Sequence, residues 1–112
     1  MTRLAQQLPL AIPRERLIAF CKKWKVQELA FFGSFVRADF GPESDIDILV
    51  KFLPDAGWSL LNHISAQYEL AEILGRRVDL VTKGTIENSQ NEVRRNAILG
   101  EAKVFFPDEE AA

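Results

Sequence analysis

The sequence has little of the chemistry that most often marks a site. Its 112 residues include one cysteine, Cys21, and one histidine, His63. A lone cysteine excludes an internal disulfide and fits a reducing compartment. Cys21 follows Phe20 in a helical pattern, where a small buried hydrophobe is a better reading than a nucleophile. His63 precedes Ile64 in a second helical pattern, and a structural or surface role is the better reading there too. No apolar run approaches the roughly 20 residues needed to span a bilayer. The first 13 residues carry one basic side chain, and Gln6, Gln7 and Pro9 break their apolar content, which makes a poor signal peptide. A soluble, cytoplasmic chain with no membrane partner is expected. Net charge is only −2, which argues against gripping nucleic acid through clustered Lys and Arg. No direct nucleic-acid binding is expected. A single bound nucleotide stays open, because metal ions can supply the missing positive charge.

What is present is an ordinary globular balance, with 47% hydrophobic and 27% charged residues. The length suits one domain with one core. Residues 1–12 read as a loose N-terminal arm, 13–106 as the domain, and 107–112 as an acidic, frayed tail. Within the domain, Pro13 opens a helix to about Trp24, with Leu17, Ile18, Cys21 and Trp24 on one stripe. Glu28–Phe32 reads as a buried strand that stops at Gly33. Ser34 is placed to cap a short helix over Phe35–Ala38. Asp45–Phe52 alternates as a second strand, and Trp58–Leu74 is the longest helix, with Leu60, Leu61, Ile64, Tyr68, Ala71 and Leu74 on one side. Arg76–Thr82 reads as a third strand, with Lys83-Gly84 as its exit. Ile86 to about Glu101 reads as a last helix carrying Val93, Ala97 and Ile98, and Lys103–Phe106 as an edge strand. This order implies an α+β fold, a small mixed β-sheet with helices packed against it.

Three aspartates stand out against that frame. Residues two apart in a strand face the same way, so Asp45 and Asp47 project together. Asp79 sits mid-strand between Val78 and Leu80, a position where Asp is depleted. If the two strands are neighbours, all three carboxylates converge. Unneutralised, they repel, and at least one tends to hold a proton. Paired carboxylates can bridge two divalent metal ions, and magnesium prefers such oxygen ligands together with substrate phosphates. An isolated Asp-x-Asp is more often a solvated face. Gly33 allows close backbone approach to a ligand, and the amides opening the next helix, with the Ser34 hydroxyl, favour a phosphate. Taken alone, that pair reads as an ordinary turn and cap. Arg37 is within reach of the same phosphate or is a surface charge. Trp24, Trp58, Phe31 and Phe32 read as core, Lys83 as a solvated lysine, and Arg94-Arg95 as the exposed side of the last helix or a partner contact.

In combination, these residues resemble the DNA polymerase β-like nucleotidyltransferase superfamily, and most closely its minimal nucleotidyltransferases. Gly33-Ser34-Phe35-Val36-Arg37 matches Gly-Ser-x-x-Arg, and Ser44-Asp45-Ile46-Asp47-Ile48 matches Ser-Asp-Ile-Asp-Leu with Ile48 as the one departure. Asp79 matches the third acid. The resemblance implies the polymerase β-like fold, two Mg2+ ions on Asp45, Asp47 and Asp79, and ATP as substrate. It implies that Gly33 and Ser34 hold the β and γ phosphates, with Arg37 a further candidate for nucleotide binding, while Asp79 helps activate an acceptor hydroxyl.

It also implies a partner. Minimal nucleotidyltransferases pair with HEPN-domain RNase toxins and act as antitoxins by moving AMP from ATP onto a toxin tyrosine. The acceptor site is therefore expected to be shallow or supplied by another protein, with a homo- or hetero-oligomer possible. Two other functions stay open: an antitoxin that works by binding alone, and a transferase acting on a small molecule such as an antibiotic.

Overall fold

The computed structural model describes residues 8–37 and 39–111. The expected arm at residues 1–7, Ala38 and Ala112 lie outside the described residues. Leu8, Leu10 and Ile12 pack against the core, so the described part of the expected arm is docked rather than loose.

The first helix, α1 (Arg14–Lys23), buries Leu17, Ile18, Phe20 and Cys21. Cys21 is fully enclosed, as a small hydrophobe would be. Strand β1 (Val26–Phe32) begins two residues earlier than its apolar run indicates and ends in a short 3-10 turn, Gly33–Phe35. Strand β2 (Ile46–Phe52) pairs antiparallel with β1. A long helix, α2 (Leu60–Leu74), then crosses to β3 (Val78–Thr82), which pairs parallel with β2. Next come α3 (Lys83–Glu87), α4 (Glu92–Glu101) and β4 (Lys103–Phe106), the last antiparallel to β1. The sheet order is β3-β2-β1-β4. The fold is thus α+β with a mixed sheet and helices on both faces.

Alternation in the two central strands divides the core. Leu29, Phe31, Ile46, Ile48 and Val50 face α1 and α2, with Val78 and Leu80 beside them. Ala30, Phe32 and Leu49 face the other way and are covered by Ile86 of α3 and Ile98 of α4. Asp47 and Asp79 belong to this second face by register.

Three local expectations are corrected. Part of the α2 side expected to be apolar is outermost: Leu60 and Leu61 are each 75% exposed and Tyr68 is 73% exposed, while Ala71 and Leu74 of the same stripe pack against the core. The buried side instead carries Ala66 and Leu70. Its neighbours His63 and Gln67 serve the backbone of β3. His63 Nε2 lies 2.8 Å from the Leu80 carbonyl, and the Leu80 amide donates to Gln67 Oε1 at 3.0 Å. Edge-strand groups that would otherwise be open are thereby satisfied. Secondly, the expected helix from Ile86 to Glu101 is two helices. Asn91 caps the second one by accepting the Arg94 amide at 3.1 Å, and Val93 is 82% exposed. Thirdly, the expected frayed tail forms a helical turn, α5 (Asp108–Ala111). Glu109 in it is buried, and Arg14 donates both to its carboxylate and to its carbonyl. Among the described residues, no helix is long and apolar enough to cross a membrane.

Candidate active site

Gly33 opens the site. It has a φ of +69°, which favours glycine, and a Cβ there would overlap the Asp47 carboxylate and stand 3.0 Å from Asp47 Cγ. The close approach follows from register, because Phe32 pairs with Asp47 across β1 and β2. Ser34 was expected to cap a short helix. It lies instead in the middle of the 3-10 turn, and its carbonyl accepts the Arg37 amide at 3.2 Å. The turn closes too early for a capping role.

Asp47 pairs directly with Asp79 across the parallel β2–β3 ladder. The two carboxyl-bearing residues are therefore neighbours on one face, because the two strands are adjacent. Asp45 stands apart. It precedes β2, and its Oδ1 meets Arg77 Nε at 3.0 Å in an exposed ion pair. Among the described residues, no three acidic, histidine or cysteine side chains converge on a single point for a metal ion. Like-charge repulsion favours an Asp45 carboxylate held beside Arg77. The same repulsion marks Asp47. Its carboxyl is pushed up to about 6, first by burial and then by the charges of Asp79 and Asp45.

The loop that presents Asp45 is held by a residue that the spacing of the acids did not single out. Arg76 donates to the carbonyls of Gly41 at 2.9 Å, Pro42 at 3.2 Å and Ser44 at 2.6 Å, and stacks over the Phe40 ring at 4.6 Å. Gly41 also donates its amide to Ser44 Oγ at 3.0 Å.

A second missed residue is Glu101, the last of α4. Its Oε1 accepts the Gly33 amide at 2.9 Å, and its Oε2 lies 3.3 Å from Arg37 Nη1. Arg37 also pairs with Asp39 at 3.2 Å, and that neighbour, before Glu101, holds the guanidinium further toward its charged form. Together with Phe32, Arg94, Ala97 and Ile98, these groups line an open cleft of about 300 Å³. Arg94 is exposed, as expected, and borders the acids. Lys83 is elsewhere, paired with Glu28 at 2.9 Å.

The residues fit a divalent cation in part. Asp47 and Asp79 offer adjacent oxygen donors of the kind a divalent cation takes. Asp45 could join them by leaving an exposed ion pair, which is weakly held.

A family model described as the nucleotidyltransferase domain matches residues 14–104. The chain belongs to that family. It is a nucleotidyltransferase, and its likeness is to the minimal members. A candidate protein adenylyltransferase of Methanocaldococcus jannaschii is 38% identical over 89 residues, spanning 80% of this chain and 89% of that protein. The protein adenylyltransferase MntA of Thermococcus cleftensis is 41% identical over 69 residues, or 60% of this chain and 66% of the relative. Among solved structures, one described as a minimal nucleotidyltransferase superposes with a TM-score of 0.63 at 31% identity, covering 80% of this chain and 86% of the other. A toxin–antitoxin complex with AMP-PNP matches with a TM-score of 0.64 at 22% identity, covering 89% and 80%. The Shewanella oneidensis complex of a tri-AMPylated HEPN toxin with its MNT antitoxin gives 0.57 at 21% identity, covering 88% and 75%. These last two likenesses are of fold.

Proposed function

We propose that this chain transfers AMP from ATP to a hydroxyl, most simply a tyrosine, of a HEPN-domain RNase toxin and so acts as its antitoxin. The observation that carries the reading is the pairing of Asp47 with Asp79 across β2 and β3, beside a glycine whose positive φ and close approach to Asp47 leave no room for a side chain. The protein adenylyltransferase relatives and the AMPylated toxin of the related complex support the acceptor class.

In this reading the Gly33 amide, the Ser34 hydroxyl and Arg37 bind the β and γ phosphates and turn the α phosphorus toward the cleft. Asp47 and Asp79 would hold magnesium, with Asp45 as a third ligand in place of its exposed pair with Arg77. Bound magnesium neutralises the carboxylates and phosphates and stabilises charge on the attacking and leaving oxygens. Asp79 orients the acceptor hydroxyl and draws off its proton. The acceptor oxygen forms a bond to the α phosphorus as the bond to the β-phosphate oxygen breaks, and pyrophosphate leaves. The cleft is open and small, which suits an acceptor brought by a folded partner.

Incubation of the chain and its toxin with ATP and magnesium tests this. Toxin RNase activity is expected to be lost after incubation and to stay lost once the chain is removed. With Asp47→Ala it is expected to return on removal. Equal and reversible protection by both would establish an antitoxin that works by binding alone. Transfer to a small molecule in the absence of any protein acceptor would establish the antibiotic-type activity instead.

A further inference from the structure

The Glu101 carboxylate stands where the proposed function puts a nucleotide phosphate. It takes the Gly33 amide at 2.9 Å and reaches Arg37 at 3.3 Å, two of the groups assigned to the β and γ phosphates. These contacts join residues 68 and 64 positions apart in the chain, so they are made by the fold and not by local sequence. Glu101 ends α4 and leads through Ala102 into β4, which pairs with Leu29, Ala30 and Phe31 of β1. The carboxylate is therefore delivered to the Gly33 turn from a fixed position.

A carboxylate and a phosphate are both acceptors, and a backbone amide has a single proton to give. Two anions on one amide would also repel across a few ångströms. Glu101 and a phosphate at Gly33 consequently exclude one another. We propose that Glu101 is a built-in competitor of the triphosphate: it fills the phosphate cradle in the nucleotide-free protein and has to swing out before a nucleotide seats. This rests on the assignment of Gly33 and Arg37 to phosphate binding. Arg37 is then handed from Glu101 to the phosphate and keeps Asp39 as its other partner. The affinity observed for nucleotide is lowered by the fraction of molecules in which Glu101 occupies the amide.

Calorimetric titration of the full chain with AMP-PNP and magnesium tests the idea. Glu101→Gln keeps the shape and removes the charge, and is expected to bind about tenfold tighter than the unmodified chain, with Glu101→Ala at least as tight. A merely structural Glu101 would leave affinity unchanged or weaken it, and either result overturns the proposal. If neither chain binds AMP-PNP, the assignment of the cradle to phosphate falls, and the competitor with it. Should the variants fail to fold, the unmodified chain still decides the matter by NMR. Added AMP-PNP is expected to move both the Gly33 amide and the Glu101 carboxyl resonances. Movement at Gly33 with Glu101 unmoved would overturn the proposal.

Discussion

Asp47 carries two constraints at once: it sits tightly against Gly33, and it shares a ladder position with Asp79. Its carboxyl is raised to about 6 from 3.8, chiefly by burial and then by Asp79 and Asp45. The folded chain thus keeps a proton through the window from about pH 4 to about pH 6, where the unfolded chain has lost it. Linkage then lowers stability as pH rises through that window. Asp47→Asn removes the penalty. With metal chelated, it is expected to melt a few degrees higher than the unmodified chain at pH 7.5 and to lose that advantage at pH 4. The same variant is expected to lose transfer activity by a factor on the order of 100 or more. Equal melting temperatures at both pH values would contradict the assigned burial and repulsion. At this scale the sequence was informative about Gly33, Asp47 and Asp79, because a glycine at a strand end and acids within strands need a reason. It was silent about Glu101 and Arg76. Each is an unremarkable charge in its own helix or loop, and each finds its partners through distant contacts.

Elements were legible where one face decides their residues. Strand β2 followed alternation, and β1 followed its short apolar run. Helix α2 was legible in extent but not in orientation. Ser59 caps it by accepting the Asn62 amide at 3.2 Å, and Gly75 ends it at a φ of 69°. Its buried side, however, carries Ala66 and Leu70, flanked by His63 and Gln67, which satisfy β3. Leu60, Leu61 and Tyr68 dominate any sequence stripe yet point outward. The break between α3 and α4 was missed because Asn91 reads as one polar residue in a polar run until its side-chain Oδ1 is seen accepting the Arg94 amide. The edge-strand role of His63 and Gln67 gives an expected outcome at this scale. Gln67→Leu leaves the Leu80 amide without an acceptor and should cost about 1–3 kcal/mol in chemical denaturation. Gln67→Glu, which keeps an acceptor oxygen, should cost less. An equal loss in both would mean that packing and not the hydrogen bond sets the cost.

Over the whole molecule, the two faces of the sheet have different work. One carries the large core beneath α1 and α2. The other carries a smaller cluster under α3 and α4, and gives up part of its area to the cleft with Asp47 and Asp79. Chain ends reinforce the first division, since Arg14 at the start of α1 holds Glu109 of α5. This global arrangement was the part most readable from order and spacing, because strand–turn–strand–helix–strand leaves few ways to bring Gly33, Asp47 and Asp79 together. The most direct measurement of what that arrangement does is paired labelling. The chain, its HEPN-domain partner and magnesium are incubated with ATP labelled either at the α or at the γ phosphate, and the partner is then isolated. The expected result is α label on the partner and γ label released as pyrophosphate, with both absent for Asp79→Asn. Transfer of the γ label, or of no label at all while the toxin is still neutralised, would contradict nucleotidyl transfer by these aspartates.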